Sequence, residues 1–162
     1  MDKNSNGFEA EINLSNKKLL NEEPISSHAG PTYTLGEIFS AIQLTLEDSN
    51  YQKALAKRGI KDLNLIQIDP WPGGGFVNKN IKKGNRALKA ISFLKDSEKD
   101  NAYARPIQGL IAHVDLTEKQ VVEIEDHGVV KIPEAHARYD KDGQDSLRAV
   151  SYTHLTLPTK QP

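Results

Sequence analysis

Five histidines, an adjacent Asp126-His127 pair, Asp115 and Arg105 are the groups in this chain best suited to chemistry. A metal would need imidazoles brought together by spacing, two residues apart on a strand face or three to four apart on a helix. His28, His113, His127, His136 and His154 show neither spacing. Each is therefore read as a separate surface or loop side chain, and no metal ligand is assigned. Asp126-His127 has the composition of half a hydrolase triad, but no strained serine elbow accompanies it. It is read as a turn that ends a strand, with Gly128 supplying backbone freedom. Pro72–Gly75 is glycine-rich yet lacks the lysine and Ser/Thr of a phosphate-cradling loop, so it reads as a wide turn. Lys79, Lys82, Lys83 and Arg86 form a basic loop near Phe76. With a net charge of −1 over the chain, a solvated loop face is the better reading than a nucleic-acid contact. No catalytic, cofactor-binding or metal residue is assigned.

These residues must be positioned by local elements. Phe8, Ala10, Ile12 and Leu14 alternate with polar residues, and Ser15-Asn16-Lys17 supplies a turn before Leu19-Leu20, which predicts a hairpin over Phe8–Leu20. Two strands alone are marginal in water, so the hairpin reads as the end of an incomplete domain. Glu22 to Pro31, with two prolines, two serines and a glycine, reads as a linker. Thr34 and Glu37 have capping-box spacing. Behind them Leu35, Ile38, Phe39, Ile42 and Leu46 predict an amphipathic helix. Asp48-Ser49 begins a second helical segment carrying Tyr51, Ala54 and Leu55, stopped at Gly59.

Four strands follow. Leu63–Asp69 is predicted to end at Pro70-Trp71-Pro72. Arg86–Lys95 returns with Leu88, Ala90 or Ile91, and Phe93 as candidate inward residues. Ile107–Leu116 and Gln120–Glu125 make a hairpin around Thr117-Glu118-Lys119. The predicted class is α+β, a helical layer on one face of a four-stranded antiparallel sheet, preceded by the β-hairpin remnant. After Pro133 the pattern dissolves: 135–148 reads as a linker, and 149–162, VSYTHLTLPTKQP and the residue before it, as a tail foreign to the protein.

Composition narrows the partners. There is no cysteine, hence no disulfide or thiolate chemistry. No apolar run approaches the roughly 20 residues that span a bilayer, and Met1–Gly7 is polar without the apolar core of a secretory signal. Neither nucleic acid nor membrane is expected as partner, and no compartment is assigned.

Several stretches, in order, resemble one family. They are Arg58-Gly59-Ile60, Asp69-Pro70-Trp71, Asn101-x-Tyr103-Ala104-Arg105-Pro106-Ile107-x-Gly109-Leu110, Val114-Asp115-Leu116 and Glu125-Asp126-His127-Gly128-Val129-Val130-x-x-Pro133. This set resembles the copper-containing primary-amine oxidases, in their amino-terminal portion only, over about residues 8–140. The resemblance implies residues 1–27 as the end of a second amino-terminal domain and 31–134 as a third, cystatin-like one. It implies 135–148 as the start of a linker into a missing catalytic domain. For the full-length family it implies copper, topaquinone and a homodimer, with the chain's own catalytic domain as its partner and no cofactor on the chain itself. His113 departs from the apolar or small residue usual there, and Trp71–Gly75 from the usual loop.

The resemblance can be tested against the residues. A quinone precursor lies in Thr-x-x-Asn-Tyr-acid. Asn50-Tyr51 is the one Asn-Tyr pair, but Glu47 and Gln52 occupy the flanking positions, so Tyr51 reads as a packed helix side chain. Gln120–Ile124 approaches the Gln-x-Val-x-Gly of cystatin inhibitory loops, with Ile124 where glycine is required. The expectation is a non-catalytic supporting domain of an amine oxidase; the alternative is a free-standing cystatin-like binding module.

Overall fold

The computed structural model describes residues 7–25, 31–74 and 78–134. Strands β1 (Phe8–Asn13) and β2 (Lys18–Pro24) form the antiparallel hairpin. Asn13 Oδ1 accepts from the amides of Ser15 and Asn16, fixing the turn. Pairing runs further than Leu20: Glu22, Glu23 and Pro24 oppose Ala10, Glu9 and Phe8, so the predicted linker begins later. Phe8, Ile12, Leu19 and Leu20 stay exposed, and the hairpin gains no core of its own.

Helix α1 (Leu35–Glu47) starts at Thr34, whose hydroxyl accepts from the Glu37 amide while Glu37 reaches back to the Thr34 amide. Arg86 reinforces this start. Its guanidinium pairs with Glu37, stands 4.2 Å from the Tyr33 ring centroid and donates to the Pro31 carbonyl. Asp48 ends α1 and caps α2 (Ser49–Lys57), its carboxylate accepting from the amides of Asn50 and Tyr51. At the far end Gly59 has φ +76°, Ile60 donates to the Leu55 carbonyl and Gly59 to that of Ala56. That is the pairing of a Schellman stop.

The side of α1 that meets the sheet differs from the expected stripe. Ala41 and Thr45 are fully buried, whereas Leu35 and Phe39 are 71% and 64% exposed. Small residues let the helix approach the strands closely. Thr45 can be buried because its hydroxyl donates to the Ala41 carbonyl at 2.8 Å. Ile42, Leu44 and Leu46 pack at the margin of the core.

The sheet is an antiparallel meander in the order β3 (Ile66–Pro72), β4 (Ala87–Leu94), β5 (Pro106–Asp115), β6 (Gln120–Asp126). Its helix-side residues are Ile66, Ile68, Leu88, Ala90, Leu110, Ala112 and Val114, all buried. Burying each of the larger ones contributes ~1.5–3 kcal/mol. Leu63–Leu65 is a 3-10 turn capped by Asp62 rather than the start of the strand. Pro70, Trp71 and Pro72 lie inside β3, opposite Ala90, Lys89 and Leu88, instead of ending it. An edge strand tolerates prolines because one side of its backbone needs no ladder partner. Leu88, Ala90 and Ser92 alternate inward along β4. Ile91 and Phe93 therefore belong to the opposite face, where Phe93 meets the edge of Tyr103 at 5.0 Å. Two irregularities shape β5. Ile91 pairs with Ile111 but Phe93 with Pro106, accommodating Gly109 at φ +71°, and Val122 bulges from β6.

Candidate functional site

Arg58, at the foot of α2, is the most heavily engaged side chain. It is 1% exposed and donates to the Ala54 carbonyl at 2.9 Å and the Gly109 carbonyl at 3.3 Å. It also donates to Asp126 Oδ1 and to the Gly128 carbonyl, both at 2.7 Å. Helix α2, the kink in β5 and the exit from β6 are thus tied at one guanidinium. The Arg58 hydrogen bond, followed by that from the Gly128 amide, holds the Asp126 carboxyl down to about 2. Arg58 appears in the sequence only as a residue beside a helix-stopping glycine. Its role was hidden because its acidic partner is 68 residues away.

On the sheet face away from the helices, Glu125 is gripped from two sides. His113 Nε2 lies 2.9 Å from Oε2 and His127 Nε2 lies 2.6 Å from Oε1. A carboxylate only accepts, so both rings donate through Nε2. These bonds, His113 first, lower the Glu125 carboxyl from its ordinary range. Both described histidines are engaged with that one carboxylate. Among the described residues no group of three His, Asp or Glu could hold a metal ion. The copper implied by the resemblance therefore does not fit these residues. His28, His136 and His154 lie outside the described residues, as do Phe76, Gly75 and 135–162.

The other singled-out residues are dispersed. Asp115, buried beside the β5–β6 turn, accepts from the amides of Thr117 and Glu118 and from Asn85. Asp126 lies at the other end of that hairpin, opposite Leu110. Arg105 pairs with Asp96 at 3.1 Å. Lys82 pairs with Glu118 and Arg86 with Glu37, so the basic loop presents no convergent cation cluster there. Gln120–Ile124 is inside β6 and not at a hairpin tip. Gly74 has φ +56°, as a turn after β3 requires. A cavity of about 10 Å³ between Ile81, Lys89 and His113 has room for one water at most. Among the described residues no helix is long and apolar enough to cross a membrane.

Tyr51 is fully buried, its hydroxyl 2.6 Å from Ser92 Oγ. Burial, against the opposing Ser92 bond, pushes its phenol up to about 12. A raised acid costs stability once pH passes the unfolded value of 10. In an alkaline absorbance titration one tyrosine should ionise well after the exposed Tyr103, or only with unfolding. Tyr51→Phe should remove that late step and cost about 1 kcal/mol. An unchanged titration curve would contradict this placement.

Comparison with known proteins gives concordant results. The model of the copper amine oxidase N3 domain matches residues 36–143. The chain is 31% identical over 132 residues to a primary amine oxidase of Arthrobacter sp. (strain P1), covering 82% of this chain and 20% of that one. It is 33% identical over 153 residues to the primary amine oxidase of Klebsiella aerogenes, covering 93% and 20%. Among solved structures, a copper-containing benzylamine oxidase from Hansenula polymorpha superposes with a TM-score of 0.59 at 13% identity, covering 91% of this chain and 24% of that one. At that identity the likeness speaks for the fold. The chain spans about one fifth of the length of these curated relatives.

Proposed function

The chain belongs to the copper amine oxidases as their N3 domain, and on that footing we propose that it is a supporting, non-catalytic part of a primary-amine oxidase. The whole protein would convert a primary amine, oxygen and water to aldehyde, ammonia and hydrogen peroxide, with copper and topaquinone supplying the redox chemistry from outside this chain. The observation that carries this reading is where the chemistry-bearing side chains are spent. Arg58, Asp126, Asp115, Glu37 and Arg86 cap turns or join elements. Tyr51 is sealed under the sheet, bonded to Ser92.

The finer divisions belong to the same proposal. Residues 31–134 form the cystatin-like third domain, 1–27 end a second one, 135–148 lead toward the catalytic domain and 149–162 are foreign. None of its residues serves as catalytic, cofactor or metal site. Its partner is the catalytic domain of its own polypeptide, within a homodimer. Matching by the oxidase N3 model supports this reading over a free-standing binding module.

The reading frame beyond Arg148 tests it. Genuine coding sequence with an Asn-Tyr-acid motif and a His-x-His pair downstream is the expected finding. A true stop near Pro162 in the genomic sequence would sink the oxidase reading.

A further inference from the structure

His113 stands where members of the resembled family usually have an apolar or small residue, and its presence turns a local pair into a clasp. Glu125 and His127 are near neighbours at the end of β6. His113 lies on the central strand β5, and it is 5% exposed. By donating to the same carboxylate, it joins the middle of the sheet to the chain that leaves β6. That exit is also held by the His127 amide, which donates to the Gly109 carbonyl at 2.9 Å. We propose that His113, Glu125 and His127 form a proton-responsive fastener of the domain's exit, tightest where Glu125 is ionised and the imidazoles are protonated.

The sign follows from the groups present. Neutral imidazoles still donate one N–H each, but hydrogen bonds between charged groups are roughly twice as strong as neutral ones. Glu125, depressed by His113 and then His127, contributes stability above its ordinary value of 4.5, lost as pH falls through its lower folded value. Imidazoles in general lose their charge near about 6.5, which sets the alkaline limit. The fastener is therefore strongest in mildly acidic solution.

Other charges modulate it. Lys89 on β4 is the cross-strand neighbour of His113 and opposes its protonation, as the two rings oppose each other. Glu123 on β6 is the neighbour on the other side and favours it, while accepting from Asn78 and Asn80. Lys57 and Arg58 on α2 are engaged by Asp126.

The His127 amide is the reporter. Hydrogen exchange, expressed as a protection factor to remove the intrinsic pH effect, is measured on the 162-residue chain at pH 5.5 and 8.5. Protection at pH 5.5 should exceed that at 8.5 by about two- to fivefold, the worth of one partly exposed ion pair. The ratio should fall to about one in His113→Val and in Glu125→Gln, with the Ala112 amide on the central strand unchanged. Equal protection at both pH values in the parent overturns the proposal. So does a ratio that survives either substitution, or one that moves in step with Ala112, which would report global unfolding.

Discussion

Replacing Arg58 by alanine should lower the unfolding free energy by about 3 kcal/mol and the Tm by roughly 10–20 °C. The guanidinium is 1% exposed and Asp126 20% exposed, so one partner of a largely buried pair is removed. Three backbone carbonyls, of Ala54, Gly109 and Gly128, also lose a donor. The lower end of the range for breaking such pairs applies because water can still reach Asp126. Arg58→Lys should recover only part of the loss, since an ammonium cannot match the fork of a guanidinium.

The pH dependence has a definite sign. Asp126 is held near 2 against an ordinary 3.8. Its contribution is complete above the ordinary value and lost as pH falls through about 2. The gap between parent and Arg58→Ala in denaturant unfolding should therefore narrow across that interval. A variant within about 0.5 kcal/mol of the parent, the range of ordinary surface changes, would refute the clamp.

Gly109→Ala acts on the same junction from the other strand. Gly109 sits at φ +71°, and a Cβ there would meet the Gly128 carbonyl oxygen at 3.3 Å and His127 Cβ at 3.5 Å. Left-handed backbone at a non-glycine residue costs about 1–3 kcal/mol, and here the backbone of the exit segment must also give. A loss of about 2–3 kcal/mol in urea unfolding is expected. Gly59→Ala is the control: it also has positive φ but open space around the added carbon, so it should cost less. Equal losses at the two positions would mean that strain alone, and not the contact with Gly128, makes Gly109 necessary.

What the sequence made legible was local. The capping box at Thr34, the second cap at Asp48, the stop at Gly59 and the hairpin turn before Gln120 each rest on residues within a few positions of one another. What it concealed depends on approach between distant elements. Leu35 and Phe39 fit the helical period, yet the rotation of α1 is set by how closely Ala41 and Thr45 let it approach the strands. Prolines 70 and 72 looked like a strand's end because nothing local says that β3 is an edge. Phe93 went to the opposite face because Leu88 fixes the alternation of β4.

The candidate site followed the same division. Tyr51 was legible as a packed tyrosine from its flanking residues, and its bond to Ser92, 41 positions away, was not. His113 was noticed as an unusual residue, but only the pairing of β5 with β6 brings it to Glu125.

The central claim is that the chain supports an amine oxidase without containing its active site. The most direct measurement is copper content and amine-dependent peroxide release by the purified 162-residue chain, after incubation with copper and oxygen, across a panel of primary amines. The account predicts no stoichiometric copper and no peroxide above the protein-free blank. Retained copper at one ion per chain, or peroxide that depends on the amine, would contradict it.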